Sequence, residues 1–105
     1  PHIVIGAPGA THITLGIMQV LLNILEFGMP ISDAIAAPRF SVTSNAIDVS
    51  NRIPRYLTDK IASHGYEIRR SSESYGFAGV HGVMNTDGVL SGAADPGRDG
   101  MALVV

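Results

Sequence analysis

The amino-acid sequence predicts an α+β fold in which a mostly antiparallel sheet is covered by helices. A long helix is indicated from Thr11 to Phe27, where apolar side chains recur at helical spacing and spread over more than one side. A tight hairpin is indicated at Thr86-Asp87-Gly88, because Asp-Gly between two apolar runs is typical of a two-residue turn. Helices mixed with hairpin-linked strands favour an antiparallel or mixed sheet.

The first segment is predicted to be a strand that leads through a tight turn into the long helix. Residues 3–5 are apolar and indicate a short buried strand, and the Gly/Pro-rich residues 6–10 follow as the turn. Thr11 is the candidate N-cap of the helix, and Gly28 is placed to end it.

A second short helix and two short strands are predicted for the middle of the chain. Ser32 is the candidate N-cap of this helix, Asp33 lies in its first turn, and the helix ends before Pro38. Strands are expected at residues 40–43 and 46–49, on either side of a polar Ser-Asn turn.

The second half is predicted to begin with a third helix. Pro54 suits its first turn and Gly65 its end. Residues 66–69 are a strand candidate, and the polar segment 70–74 is expected to be a mobile loop.

The Asp-Gly hairpin and a last strand complete the prediction. Its strands are expected at residues 77–85 and 89–93, and the apolar residues 101–105 are expected to form a final strand after a turn-rich connection. Glycines in the hairpin would let a helix pack closely against it; these are Gly79, Gly82 and Gly92.

The composition indicates a single segment, 1–105, with more apolar surface than a small domain buries by itself. Hydrophobic residues make up 46% of the chain and charged residues 15%, against about 25% charged in an average soluble domain. Two explanations are open: an Ala/Gly-rich core, or a fragment whose apolar faces meet other segments of a larger protein. The composition favours the fragment, and the start on strand-forming residues without a Met leads us to expect a cut end.

Charge and cysteine content exclude several classes of function. The net charge is −2 with seven scattered basic residues, so neither a nucleic-acid nor a membrane partner is expected. The absence of cysteine excludes disulfides, thiolate nucleophiles and thiolate metal sites. The four histidines lack metal-ligand spacing, so no metal site is expected.

The Gly/Pro turn at residues 6–10 is the candidate functional feature. A strand that turns directly into a helix aims unpaired backbone N–H groups at one point, which suits a phosphate, a carboxylate or a developing oxyanion. No Gly-Lys-Ser/Thr follows and the third glycine of the dinucleotide motif is missing, so neither nucleotide-binding pattern is present. The turn by itself is also compatible with simple chain reversal.

Five stretches, taken in order, resemble one family. They are GAPGATHIT at 6–14, QVLLN at 19–23, FGM at 27–29, AIAAPRF at 34–40 and ADPGRDG at 94–100. The series resembles the C-terminal part of the small subunit of the gamma-glutamyltranspeptidase family, whose members are N-terminal-nucleophile (Ntn) hydrolases. The resemblance covers essentially all 105 residues.

The resemblance implies a fold, an activity and partners. The expected fold is part of an αββα sandwich. Complete members are heterodimers made from one precursor, and they transfer or hydrolyse gamma-glutamyl groups of glutathione and related amides without a cofactor. The expected partners are therefore the large subunit, the N-terminal part of the small subunit and a small-molecule gamma-glutamyl substrate, and the expected location is the periplasm or the cell exterior.

The resemblance also implies site residues. In the family, the backbone N–H groups of the two residues after the turn proline help form the oxyanion hole; here these are Gly9 and Ala10, where a second glycine is usual. An alanine is expected to serve if its φ is negative and to shift the hole if it is not. Ala7 replaces the usual Ser or Thr. His12, in the first helical turn, is a candidate contact for a substrate carboxylate, against the alternative of a surface histidine beside a turn.

The other motif residues are expected to be architectural. Arg39 directly after Ala-Pro is suited to tie down carbonyls or a carboxylate, and Asp95 and Arg98 suit turn formation and ion pairing. His64 before Gly65 is expected to interact with the C-terminal end of the third helix.

The nucleophile is not among these residues. The family acts through an N-terminal Thr whose own α-amine is the base, and Thr11 lies inside the chain. Ser71-Ser72 follows the turn, so it is not the family's substrate-binding serine pair, which precedes it. We therefore expect the chain alone to be inactive.

Three functional interpretations remain open. The first is the C-terminal portion of a gamma-glutamyltransferase or hydrolase. The second is a non-catalytic binding or oligomerisation module, whose apolar excess would lie at a homo-oligomer interface. The third keeps the enzyme class but changes the substrate, as in a glutaryl-type acylase or a poly-gamma-glutamate transferase.

Overall fold

The computed structural model describes residues 2–73 and 76–105. Its strands are β1 Ile3–Gly6, β2 Phe40–Ser41, β3 Ala46–Ser50, β4 Glu67–Ser71, β5 His81–Thr86 and β6 Val89–Ala94. Its helices are α1 Ile13–Leu25, α2 Ile31–Ala36 and α3 Arg55–Ala62, with a 3-10 turn at Ala10–His12 before α1. The predicted α+β class is confirmed.

The strands form two three-stranded sheets. The first has the order β1-β5-β6 and is antiparallel throughout, with β5 in the centre. The second has the order β2-β3-β4, in which β2 and β3 are antiparallel and β3 and β4 are parallel. The β5–β6 turn has Asp87 at φ 52° and Gly88 at φ 87°, as a two-residue hairpin of this hand requires.

The core lies between α1, α2 and one face of the first sheet. Its buried members come from both helices and from the residue before β5, and they are Val20, Ile24, Ile31, Ala34, Ile35 and Val80. Ile3 and Ile5 of β1 pack against this cluster. The close approach predicted for a hairpin glycine is found at Gly82, where an added Cβ would lie 3.2 Å from Ile31 Cδ1 of α2.

A glutamine connects the two sheets through α1. Gln19 donates from Nε2 to the Phe40 carbonyl (2.8 Å), and its Oε1 accepts the Phe40 N–H (3.0 Å). The side-chain amide thereby bonds the backbone of β2 as a neighbouring strand would.

The predicted helix starts were wrong in detail. Thr11 lies within the 3-10 turn, and α1 begins after His12. Neither the 3-10 turn nor α1 has a side-chain cap at its start. The helix also ends at Leu25 instead of Phe27, after which Gly28 takes φ 66° as expected. Ser32 lies inside α2, because the rigid Pro30 occupies the N-cap position.

The later elements include two corrections. The segment expected as a loop from residue 70 is partly strand, since Arg70 and Ser71 belong to β4; residue 74 lies outside the described residues. The apolar tail 101–105 is not a strand, because no described strand pairs with it, and Val104 and Val105 are fully exposed. Pro54 precedes α3 at the N-cap and Gly65 follows it at φ 96°.

Apolar surface remains exposed over much of the chain. Leu25 and Phe27 at the end of α1 are 61% and 73% exposed, and Val4 on the outer face of the first sheet is 59% exposed. The radius of gyration is 14.5 Å, larger than the roughly 13 Å of a compact domain of this length. The chain is therefore extended, with extents of 47 × 26 × 19 Å. Within the described residues, every helix is too short or too polar to cross a membrane.

Candidate functional site: the turn between β1 and α1

The turn has an unusual backbone at two successive residues. Gly9 has φ 144° and ψ 16°, a conformation open in practice only to glycine, and Ala10 follows at φ 51° in the left-handed region. The negative φ at which an alanine was expected to serve is therefore not found. Ala10 takes a positive φ, which favours glycine and for which a shifted hole was expected. A non-glycine residue in this region costs about 1 to 2 kcal/mol.

The turn ends in N–H groups without acceptors. The Gly9 carbonyl accepts the His12 N–H at 3.0 Å, which closes the 3-10 turn. Within the ranges 2–73 and 76–105, the N–H groups of Gly9 and Ala10 donate to no protein acceptor. Ala10 is exposed and Gly9 is half-buried. Two adjacent free donors at the start of a helix can bind an anionic oxygen.

Ala78 holds the turn in place from one side. A Cβ added to Gly9 would lie 2.8 Å from Ala78 Cα, and one added to Gly16 of α1 would lie 3.1 Å from Ala78 Cβ. Two glycines thus make room for one alanine, which is buried and has φ 66°. The Gly79 N–H donates to the Pro8 carbonyl at 3.1 Å and attaches the same segment to the turn.

The two motifs expected to be architectural meet behind Ala78. Arg39 and Asp95 are 5% and 4% exposed and form an ion pair. Arg39 also donates to the carbonyls of Ile35 (2.7 Å), Phe77 (3.2 Å) and Ala78 (3.0 Å). Arg98 packs its side chain against Gly79. Arg39 thus ties down carbonyls and pairs with a carboxylate as expected, and Asp95 forms the expected ion pair.

His12 is held beside the turn by a buried serine. Its Nδ1 lies 2.6 Å from Ser41 Oγ, and its ring meets the Phe77 ring edge-on with centroids 6.3 Å apart. Ser41 is 1% exposed, while His12 is half-buried. The ring therefore has a fixed orientation, with Nδ1 occupied and Nε2 as its remaining polar atom.

The other histidines have backbone partners. Their Nδ1 atoms lie within hydrogen-bond distance of a carbonyl of Asn85 (His2), Lys60 (His64) and Gly79 (His81). His64 thus binds a carbonyl in the last turn of α3, as expected. In the part of the chain that the structure describes, no group of three or more His, Cys, Asp or Glu side chains could hold a metal.

The hydroxyl-bearing candidates for a reactive group are Thr11, Ser71 and Ser72. The nitrogen of Thr11 is a peptide amide within the 3-10 turn, so it has no free α-amine to act as a base. Ser71 is the last residue of β4 in the second sheet, and Ser72 follows it. The turn follows β1, which belongs to the first sheet, so the two serines and the turn are on different sheets.

Sequence reasoning missed Ala78 and Ser41. Neither belongs to a motif, and the left-handed φ of an alanine leaves no compositional sign. The glycines around Ala78, at 76 and 79, were the one local indication of a tight backbone approach.

Comparison with known proteins identifies the family of the chain. The sequence profile of the Gamma-glutamyltranspeptidase family matches residues 1–105. The Acylase ACY 1 proenzyme of Pseudomonas sp. strain SE83 is 28% identical over 102 residues, which are 96% of this chain and 18% of the acylase. The Glutathione hydrolase proenzyme of Bacillus subtilis strain 168 is 25% identical over 104 residues, 98% of this chain and 18% of the hydrolase. The chain thus spans about a fifth of the length of these curated relatives.

A solved structure shares the fold. The gamma-glutamyltranspeptidase of Pseudomonas nitroreducens, complexed with L-DON, superposes with a TM-score of 0.87 at 25% identity, over 99% of this chain and 55% of that chain. The agreement extends over both sheets and all three helices, since nearly the whole chain is covered. The chain therefore belongs to the gamma-glutamyltranspeptidase family and shares its Ntn-hydrolase fold.

Proposed function

We propose that this chain supplies the oxyanion-binding turn of a gamma-glutamyltransferase or hydrolase that acts on gamma-glutamyl amides such as glutathione. The observation that carries the proposal is the pair of adjacent N–H groups at Gly9 and Ala10. They lack acceptors among the described residues and lie at the start of the 3-10 turn that leads into α1. The family membership supports the reaction class.

The proposed chemistry is acyl transfer through a nucleophile outside this chain. A threonine hydroxyl attacks the gamma-carbonyl carbon, and its proton passes to the α-amine of the same residue. The carbonyl oxygen becomes an oxyanion, to which Gly9 and Ala10 donate their N–H groups. The amine then leaves with the proton. Water or a second amine attacks the carbonyl carbon of the acyl-enzyme, and the same two N–H groups bind the oxyanion that forms.

Ala10 keeps the N–H that this role needs. Its methyl group removes no donor. Its φ of 51° is one that glycine adopts easily, and we therefore propose that the N–H stays aimed at the hole instead of shifting it, as was expected for a positive φ. The backbone strain at Ala10 persists because the turn is fixed by the Gly79 hydrogen bond and by the packing of Ala78.

His12 is proposed as a substrate contact. If Ser41 Oγ–H donates to Nδ1, the imidazole carries its proton on Nε2 and presents a neutral N–H donor. A substrate carboxylate bound beside the turn would accept this hydrogen bond.

An acylase is the second candidate. It is favoured by the similarity to the Acylase ACY 1 proenzyme, which is as extensive as that to the glutathione hydrolase. The turn would serve both reactions, because either one passes through a tetrahedral oxyanion. Release of an aromatic amine from gamma-glutamyl and from glutaryl anilides would separate the two.

The deciding experiment removes one N–H group from the complete gene product that contains this chain, called the complete enzyme below. Lactic acid incorporated at position 10 replaces the Ala10 N–H by an ester oxygen and keeps the methyl group. We expect kcat for gamma-glutamyl anilide to fall about 10²- to 10³-fold. Lactic acid at Ala102 in the exposed tail is the matched control and should leave kcat unchanged.

Unchanged kcat with the ester at position 10 would reject the oxyanion role. A complete enzyme that turns over neither anilide would favour a non-catalytic module. The chain of 105 residues by itself should hydrolyse neither substrate, since it lacks the proposed nucleophile.

A further inference from the structure

Arg39 makes more hydrogen bonds than an ion pair needs, and they converge on one segment. Besides Asp95, the guanidinium binds the carbonyls of Phe77 and Ala78, at 3.2 and 3.0 Å. A buried ion pair is weak evidence for a role in stability, because its desolvation offsets much of its attraction. The guanidinium group is planar and its N–H donors point in fixed directions, so it determines where these two carbonyls lie.

Asp95 holds the same segment from its other end. Its Oδ2 accepts the Val80 N–H at 3.2 Å in addition to Arg39, and its Oδ1 accepts the Gly97 N–H at 2.9 Å. Residues 77–80 are therefore bound through two carbonyls by Arg39 and through one N–H by Asp95. The carboxylate also orients the guanidinium.

The segment held in this way sets where the turn can lie. Ala78 fits between Gly9 and Gly16 so closely that neither glycine has room for an unstrained Cβ. Gly79 binds the Pro8 carbonyl. A displacement of Ala78 would move Gly9, and with it the direction of the adjacent N–H groups.

We propose that Arg39, oriented by Asp95, is a positioning residue for the oxyanion-binding turn, acting through Ala78. This inference rests on the proposed function of Gly9 and Ala10. Oxyanion stabilisation depends on donors that are already aimed before charge develops. Because the oxyanion is absent from bound substrate, a misaimed turn should lower kcat and leave KM nearly unchanged.

The first test substitutes Arg39→Lys in the complete enzyme. One ammonium group cannot replace a fork that spans four acceptors. We expect kcat to fall about tenfold or more, with KM within about twofold of the parent value. The thermal midpoint should fall as well, so a matched control is needed.

Arg70→Lys is that control. Arg70 also binds several acceptors, namely Asn51 Oδ1, Thr58 Oγ1 and the carbonyls of Asn51 and Ile53, but it lies on β4 of the second sheet. Its replacement should lower the thermal midpoint and keep kcat within about twofold. If both substitutions lower kcat in proportion to their loss of stability, the positioning role is wrong.

A second variant avoids loss of folding. Ala78→Gly leaves the Arg39 bonds intact and relieves the left-handed φ of 66°, but it removes the methyl group packed against the two glycines. We expect a thermal midpoint near that of the parent and a kcat lowered about three- to tenfold. A parent-like kcat would contradict the transmission through Ala78.

The ester at position 10 tests whether Arg39 acts through the hole. With the Ala10 N–H already removed, Arg39→Lys should cost only about twofold in kcat, because the two changes affect one interaction. A full tenfold loss in the ester background would overturn the inference while leaving the oxyanion role in place. An ester without any effect would reject the oxyanion role, and this inference with it.

Discussion

Gly9 and Ala78 approach so closely that an added Cβ at Gly9 would lie 2.8 Å from Ala78 Cα and 2.9 Å from Ala78 Cβ. The contact joins the turn after β1 to the residues before β5. These segments are far apart in sequence. The geometry of the candidate site therefore depends on a tertiary contact, and substitutions on either side of it have different expected effects.

Gly9→Ala should destabilise the complete enzyme by about 3 kcal/mol, since it adds a backbone strain at φ 144° to an overpacked contact. The thermal midpoint measures this loss. Gly6→Ala is the control, because a Cβ at Gly6 would meet nothing within 4 Å. Equal losses for the two substitutions would show that the contact with Ala78 is not what constrains Gly9.

Ala10→Gly should stabilise the enzyme by about 0.5 to 1 kcal/mol, with catalytic activity retained. The substitution relieves a left-handed φ of 51°, and the flexibility of glycine in the unfolded chain offsets part of this gain. Ala62→Gly at the end of α3 should instead destabilise, by about 0.5 kcal/mol. A loss of stability at both positions would contradict strain at Ala10.

Asp95→Asn should destabilise by about 3 kcal/mol, because it leaves the buried Arg39 charge without its carboxylate. Glu67→Gln provides the comparison. Glu67 pairs with Arg69 at 3.3 Å, but the two side chains are 64% and 57% exposed, so its loss should cost less than about 0.5 kcal/mol. Thermal unfolding of both variants measures the two losses of stability. Similar losses would show that burial does not make the Arg39–Asp95 pair more important than the exposed pair.

Ser41→Ala should raise KM about fivefold with little change in kcat, because it removes the 2.6 Å contact that orients the His12 ring. Steady-state kinetics with gamma-glutamyl anilide provide the measurement. Ser63→Ala also removes a side-chain hydrogen bond, to the Lys60 carbonyl, but at an exposed helix end, and it should change neither constant. An unchanged KM for Ser41→Ala would contradict the proposal that His12 contacts the substrate.

Leu25→Lys tests whether other segments cover α1. Leu25 is 61% exposed and borders a groove of about 510 Å³ along the helix. If the rest of the enzyme covers this groove, the charge should cost more than about 2 kcal/mol in the complete enzyme. Tyr56→Lys on α3, at a residue 72% exposed, is the control and should cost little. A harmless Leu25→Lys would favour a face that stays in solvent.

Local patterns predicted most of the elements, because the signals that define them lie within a few residues. The Asp87-Gly88 turn needs two positive φ values, and Gly28 and Gly65 end helices in the left-handed conformation. These features were confirmed where they were expected. Helix starts were less well predicted, since Pro30 and the 3-10 turn replaced the expected caps at Ser32 and Thr11.

The last strand was predicted from composition and was wrong for a physical reason. An apolar run forms a strand only where another strand offers hydrogen bonds, and no described strand does so for residues 101–105. An apolar composition indicates that a segment tends to be buried, but it does not show that a neighbouring strand is there to form hydrogen bonds with it.

The sequence by itself determined the family, the order of helices and strands up to the hairpin, and the turn that carries the candidate site. Ordered short motifs and local backbone preferences are sufficient for these. Only the tertiary structure decided what holds that turn: Arg39 meets Asp95 across 56 residues, and His12 meets Ser41 across 29. Neither pairing has a local signature, because the contacts form only when α1, α2 and the first sheet pack together. The left-handed φ of Ala10 and Ala78 has the same origin, since packing and hydrogen bonds stabilise a conformation that each alanine alone would disfavour.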